Sequence, residues 1–260
     1  MTLSIRNIIP IIKANWFGNN DISIIDTISI DSRSLQNGEN TLFFAISGPN
    51  HDGHQYIEEL ISKGVQNFVV THFDENHKSK ANFLVVENTL DALQKFATFY
   101  RSQFDFPIIG ITGSNGKTIV KEWLYQSLFD DYKTVKSPKS FNSQIGLPLS
   151  LLQIGKNDEI GIFEVGISKP GEMKKMEEIF SPEIGILTHI GAAHASNFES
   201  EEQLIDEKLK LFKDSKTIIF NGDNELVYRK IHELYSSKKL ISYGLQNQNH
   251  LYIKNDCNDR

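Results

Sequence analysis

Short apolar runs of strand length alternate along this chain with longer stretches whose apolar residues recur at helical spacing. SIIDTISI (23–30) and TLFFAIS (41–47), rich in Ile, Phe and Thr, predict strands. YIEELISKG (56–64) predicts a helix closed by Gly64, and NFVV (67–70) and NFLVV (82–86) predict two further strands. Thr89 is the candidate cap of a helix that carries Leu90, Leu93, Phe96, Ala97 and Tyr100 on one face. RSQFDFP (101–107) interrupts the series and divides the chain into 1–103 and 104–260. Beyond it the alternation is more regular. IIGIT (108–112), GIFEV (161–165), IGILT (184–188) and TIIF (217–220) read as short buried strands. TIVKEWLYQSLF (118–129) and EEQLIDEKLKLF (201–212) read as helices. The fold class is therefore α/β: a small α/β N-terminal domain, then a mostly parallel sheet flanked by helices.

Composition narrows the function classes. The chain has 260 residues, enough for one large domain or two ordinary ones, and 39% of them are hydrophobic. A net charge of −6 argues against a nucleic-acid binder. The single cysteine, Cys257, allows no disulfide framework, which suits a reducing compartment. The opening MTLSIRNIIPIIKANW has short apolar runs broken by Pro10, Lys13 and Asn15, so neither a signal peptide nor a membrane span is expected. The expectation is a cytoplasmic monomer without nucleic acid.

Ligands of parallel α/β sheets sit at the carboxyl ends of the strands. There the chain places GITGSNGKT (110–118), between a strand and a helix. Gly113, Ser114, Asn115 and Gly116 would turn backbone N–H groups around phosphate oxygens at a helix N-terminus. Lys117 can reach β- and γ-phosphates, and Thr118 can put its hydroxyl on Mg²⁺. This makes the sheet P-loop-type. The spacing is G-x-x-G-x-x-G-K-T, with Ile111 where the common pattern has glycine.

Three further residues could complete such a site. Glu164 closes its strand, and its carboxylate suits Mg²⁺. His194 follows Gly191-Ala192-Ala193, small residues that let a ligand approach. Lys208 falls in the middle of the apolar arc of Leu204, Ile205, Leu209, Leu211 and Phe212, while Lys210 lies on the polar side. Either Lys208 snorkels past its neighbours, or it has a chemical task with its charge altered.

Together these pieces resemble the Mur ligases, ATP-dependent amide-forming enzymes of peptidoglycan synthesis. The similarity extends over DSRSLQNGENTLFFAISG (31–48), HDGHQYIEELISKGV (51–65), GITGSNGKT, KSFNSQIGLPLSLL (139–152), FEVGISKPGEM (163–173), THIGAAH (188–194) and EKLKLF (207–212). Asn142, Gly146 and Pro148 favour the MurF type, which joins D-alanyl-D-alanine to UDP-N-acetylmuramoyl-tripeptide. The resemblance implies ATP and two Mg²⁺ ions, with Glu164 on the first ion and His194 on the second. Lys117, His194 and Lys208 become the catalytic set, and Lys208 matches a lysine carried as a carbamate, an anionic metal ligand. Asp31, Ser32 and Arg33 match a motif of the UDP-sugar-peptide-binding N-terminal domain, and Asn142 a residue near the reacting end of that substrate. Ile119 and Phe198-Glu199-Ser200 depart from the family pattern, where a hydroxyl residue and F-G-S are common.

The resemblance also implies a third, C-terminal domain, absent from these 260 residues, so that little ligation is expected from them alone. Fusions of such a ligase to an alanine racemase look similar, but no racemase sequence is present here. The rivals are another ligase on the same scaffold, adding the third peptide residue or resembling folylpolyglutamate synthases, and a nucleotide-binding module without chemistry of its own.

Overall fold

The computed structural model describes residues 3–33, 35, 38, 40–48, 51–191 and 197–252. The chain forms two compact units, Met1–Gln103 and Phe104–Arg260. The first opens with α1 (Ile5–Ile12), which the broken apolar runs do not predict. Ile5, Ile8 and Ile12 lie three and four residues apart and are buried, and Ser4 caps the helix by accepting from the Asn7 N–H. Burial of that stripe outweighs the backbone hydrogen bond that Pro10 removes.

The first unit is built on a five-stranded sheet of β1 (Asn15–Phe17), β2 (Thr27–Ser29), β3 (Thr41–Phe44), β4 (Asn67–Val70) and β5 (Asn82–Val85). The order is β1-β5-β4-β3-β2, antiparallel only between β1 and β5. Phe43, Phe68 and Phe83 fill its core with Leu60 from α2 (Ile57–Ser62). Gly64 takes φ +86 just after α2, as the sequence leads one to expect. The helix α3 (Thr89–Arg101) is capped by Asn88, not Thr89: the Asn88 side chain accepts from the Asp91 N–H. Thr89 is instead the first helical residue, and its hydroxyl donates to the Ala45 carbonyl at 3.0 Å.

The second unit is a seven-stranded sheet, parallel at every described pairing. Its strands are β6 (Ile108–Thr112), β7 (Thr134–Lys136), β8 (Ile160–Glu164), β9 (Ile184–Leu187), β10 (Thr217–Asn221), β11 (Lys239–Gly244) and β12 (Leu251–Tyr252). The order β7-β8-β6-β9-β10-β11-β12 reverses around β6. From β6 the chain runs to β7 at the sheet edge, returns through β8 beside β6, and then crosses to β9 on the other side, which leaves a crevice at the carboxyl ends of β8, β6 and β9. Among the described residues, five α-helices flank the sheet: α4 (Lys117–Leu128), α5 (Gly146–Leu151), α6 (Glu172–Phe180), α7 (Glu201–Leu209) and α8 (Glu225–Tyr235). The predicted helix over 201–212 stops at Leu209, and Lys210–Phe212 tighten into a 3₁₀ turn. Gly110 belongs to β6 rather than to the loop: a Cβ there would lie 2.7 Å from the Pro182 Cβ. That packing explains a glycine one residue too early for the usual phosphate loop. No helix among the described residues is long and apolar enough to cross a membrane.

Candidate active site

The loop 113–116 leaves β6 at the reversal point and runs straight into α4. Two left-handed turns shape it, at Gly113 (φ +147) and Gly116 (φ +85). A side chain at Gly113 would collide with Thr188, so this position combines a backbone requirement with a steric one. The loop is braced from β9. The His189 carbonyl accepts the Ser114 N–H at 2.8 Å, and the Thr188 hydroxyl donates to the Asn115 carbonyl at 2.7 Å. Thr188 and His189 fall in the run THIGAAH that the sequence offers, but their bracing role leaves no mark on spacing. Ser114 Oγ is buried and has no hydrogen-bond partner. An orphaned hydroxyl, a glycine cradle and a helix N-terminus suit a phosphate group.

Glu164 is completely buried at the end of β8, where its register partner is Ile111 of β6. The Thr118 hydroxyl donates to its carboxylate at 2.8 Å, and the Asn142 amide approaches the other carboxylate oxygen at 3.4 Å. The Ser137 hydroxyl accepts the Glu164 N–H at 3.3 Å. A hydroxyl and a buried carboxylate beside a phosphate loop form an oxygen donor set that suits Mg²⁺.

Two lysines converge on one carbonyl. Lys117 Nζ donates to the Gly113 carbonyl at 2.7 Å and to that of Ser114 at 3.2 Å. Lys208 Nζ, from α7, donates to the same Gly113 oxygen at 3.1 Å. Lys208 is 1% exposed, so it does not snorkel to water. Burial, and secondarily the Lys117 charge, push its ammonium down to about 8. Lys117 is also lowered, by burial, against an opposing pull from Glu164. Thr118, Glu164, Asn142, Lys117 and Lys208 thus share one neighbourhood, while His194 lies outside the described residues.

The orientation of α7 has its own anchor. Glu207 is buried, and one carboxylate oxygen accepts the N–H groups of Gly171 and Met173 at 2.8 and 3.0 Å. The other oxygen takes Lys210 at 2.6 Å. A side chain of α7 therefore caps the N-terminus of α6, and its neighbour Lys208 is aimed at the loop. Glu207→Ala orphans two donors and is expected to cost about 2 kcal/mol. Urea unfolding checks this: the midpoint falls while the slope stays constant.

Ser32 and Arg33 belong to the first unit. Arg33 makes a two-pronged ion pair with Asp31, at 2.9 and 2.8 Å, and holds the Asp31 carboxyl down at about 2. With Ile30, His51 and Tyr56 these residues line a cavity of about 380 Å³, and the rings of His51 and Tyr56 stack at 5.6 Å. The sequence offers Ser32 and Arg33 but not the stacked pair, which meets only after folding.

Residues 111–259 match the Mur ligase middle domain, and residues 24–101 match the Mur ligase family catalytic domain. The UDP-N-acetylmuramoyl-tripeptide–D-alanyl-D-alanine ligase of Borreliella burgdorferi is 36% identical over 86% of this chain and 51% of its own length. The Bacillus subtilis protein of the same name is 30% identical over 86% of this chain and 50% of its own. The chain thus spans about half the length of these curated relatives. Thermotoga maritima MurF ligase, solved in complex with ADP, superposes with a TM-score of 0.75 at 27% identity, covering 85% of this chain and 50% of that one. Acinetobacter baumannii MurF shares the fold, with a TM-score of 0.88 at 22% identity over 98% of this chain and 55% of that one. Because the middle-domain match alone covers more than half of the sequence, the protein belongs to the Mur ligase family.

Proposed function

We propose that the protein works as a MurF-type ligase: it uses ATP to join D-alanyl-D-alanine to UDP-N-acetylmuramoyl-tripeptide, in the cytoplasm. The observation that carries this reading is the Thr118–Glu164 pair set beneath a phosphate loop that two lysines face. The terminal carboxylate of the UDP-linked tripeptide takes the γ-phosphoryl group of ATP to give an acyl phosphate, and ADP leaves. The amine of D-alanyl-D-alanine then attacks, and phosphate leaves from a tetrahedral intermediate.

The chain's contribution is positioning and charge neutralisation. Lys117 exchanges its two loop carbonyls for phosphate oxygens. Ser114 Oγ and the loop N–H groups hold the phosphates in place. Thr118 and Glu164 would hold one Mg²⁺, and His194 with Lys208 a second; these ions supply neutralisation of phosphate charge. For that role the Lys208 amine adds to CO₂, forms its N–C bond and releases a proton, so that a cation becomes an anionic carbamate. Burial favours the neutral amine that this addition requires. Asn142, whose amide lies 3.4 Å from Glu164, would meet the reacting carboxylate. In the first unit, Ser32, Arg33 and the His51–Tyr56 pair would bind the uridine diphosphate end, with a cation for phosphate and stacked rings for a base.

Titration calorimetry tests the reading. The chain is expected to bind Mg²⁺ with the non-hydrolysable analogue AMP-PNP, and separately UDP-N-acetylmuramoyl-tripeptide. Failure to bind either ligand overturns the proposal. Binding of nucleotide alone would favour a module without chemistry of its own.

A further inference from the structure

Among the described residues, the most completely buried cation of the second unit is not one of those discussed so far. Lys121 lies one turn after Lys117 on α4 and is 0% exposed. A buried ammonium is costly unless its donors are matched. Lys121 donates to the Ser137 carbonyl at 2.9 Å and, at short range, to the Lys139 carbonyl. Its ion-pair partner is Glu122 at 3.3 Å, which also pairs with Lys136 of β7. Lys139 holds φ +48, a left-handed conformation that is strained for a residue with a side chain. The turn is therefore held from outside, and Lys121 is the group that holds it.

The arc fixed in this way is Ser137–Asn142, and its Ser140 and Asn142 side chains face the candidate metal pair. The Ser137 hydroxyl accepts from the Glu164 N–H. Ser140 Oγ lies 3.5 Å from Thr118 Oγ1. The Asn142 amide approaches Glu164, while the Asn142 carbonyl accepts the Gly166 N–H at 2.8 Å. Helix α4 thus reaches the site twice, directly through Thr118 and through Lys121 by way of the arc.

We propose that Lys121 is a positioning residue: it locks the Ser137–Asn142 arc against α4, so that Ser140 and Asn142 set the orientation of Thr118 and Glu164 for Mg²⁺. This rests on the reading of that pocket as a Mg²⁺–nucleotide site. It assigns to a lysine remote from the ligand the coupling between metal and nucleotide.

The test compares AMP-PNP affinity with Mg²⁺ and with EDTA in the unaltered chain and in Lys121→Met, which keeps the side-chain volume and removes the donors. In the unaltered chain Mg²⁺ should tighten binding at least 10-fold. In Lys121→Met that gain should fall below about 3-fold, while affinity in EDTA changes less than 2-fold. Amide exchange over 137–142 should quicken at least 10-fold in the same variant without ligand. A variant that loses stability but keeps the full Mg²⁺ gain and slow exchange would show a merely structural lysine and overturn the inference. If the unaltered chain itself binds no AMP-PNP, the proposed function fails instead.

A rescue keeps the test decisive if Lys121→Met folds poorly. In a Cys257→Ser background, Lys121→Cys can be aminoethylated in denaturant and refolded, which restores an ammonium at nearly the same reach. Recovery of the Mg²⁺ gain supports the role. A refolded, modified chain with no Mg²⁺ gain contradicts it.

Discussion

Lys117→Ala is expected to weaken AMP-PNP binding by about 100-fold and to leave the fold intact. Charge-assisted hydrogen bonds contribute about 1.5–3 kcal/mol each, and 100-fold corresponds to about 2.7 kcal/mol. The alanine should be tolerated because Lys117 is only half-buried and its partners are loop carbonyls at the rim of the site. Lys208 still donates to Gly113, so that oxygen keeps a partner. Calorimetry gives the affinity and thermal unfolding the stability. Unaltered nucleotide affinity would remove Lys117 from the phosphate site.

Lys208 should behave in the opposite sense for stability. Its ammonium is held near 8 against an ordinary value of 10.5, so folding favours the neutral amine. The resulting penalty is fully present below about pH 8. It fades as pH rises from 8 to 10.5, where the unfolded chain also loses the proton. In metal-free, CO₂-free buffer at pH 7, Lys208→Met is therefore expected to be more stable than the unaltered chain by about 2–3 kcal/mol. The advantage should shrink steadily between pH 8 and 10.5. The Gly113 carbonyl is not orphaned by the change, since Lys117 also donates to it.

The same lysine should be indispensable for ligation. In a parent ligase that includes the C-terminal domain, Lys208→Ala is expected to lose at least 100-fold in activity and to regain part of it with short carboxylic acids that occupy the vacated space. With ¹³C-bicarbonate, the unaltered chain should give a carbamate carbonyl resonance that Lys208→Met lacks. A destabilised Lys208→Met, or a fully active Lys208→Ala, would refute this account. A residue that weakens the fold while serving the site accords with the general tension between stability and activity.

The sheet and its loop were legible because buried parallel strands are short, apolar and bounded by glycines. β6 and β4 occupy the residues their runs predict, and Lys208 declared itself by interrupting an apolar arc. Other elements left weaker marks. The stripe of α1 is interrupted by Pro10, and β7 is only Thr134–Lys136, too short for a periodic signal. β11 carries mostly partly exposed residues where the central strands β6, β8 and β9 carry buried ones. In the candidate site, residues proposed to touch a ligand have types that chemistry demands, so Lys117, Thr118 and Glu164 could be nominated from spacing. Residues that hold those groups in place could not. Thr188, Lys121 and Glu207 act through backbone atoms distant in sequence, and nothing in their own neighbourhoods announces the partner.

The central claim is that the strand ends of β6 and β8 and the helix α7 enclose one magnesium-bound polyphosphate. A crystal of the chain grown with AMP-PNP and Mn²⁺, the latter in place of Mg²⁺ for its anomalous signal, tests this directly. The expected result is a manganese peak about 2.2 Å from Thr118 Oγ1 and a Glu164 carboxylate oxygen, with the phosphates cradled by Gly113–Lys117. A manganese ion and triphosphate bound elsewhere, with Thr118 still donating to Glu164 and both lysines still on Gly113, would contradict the account.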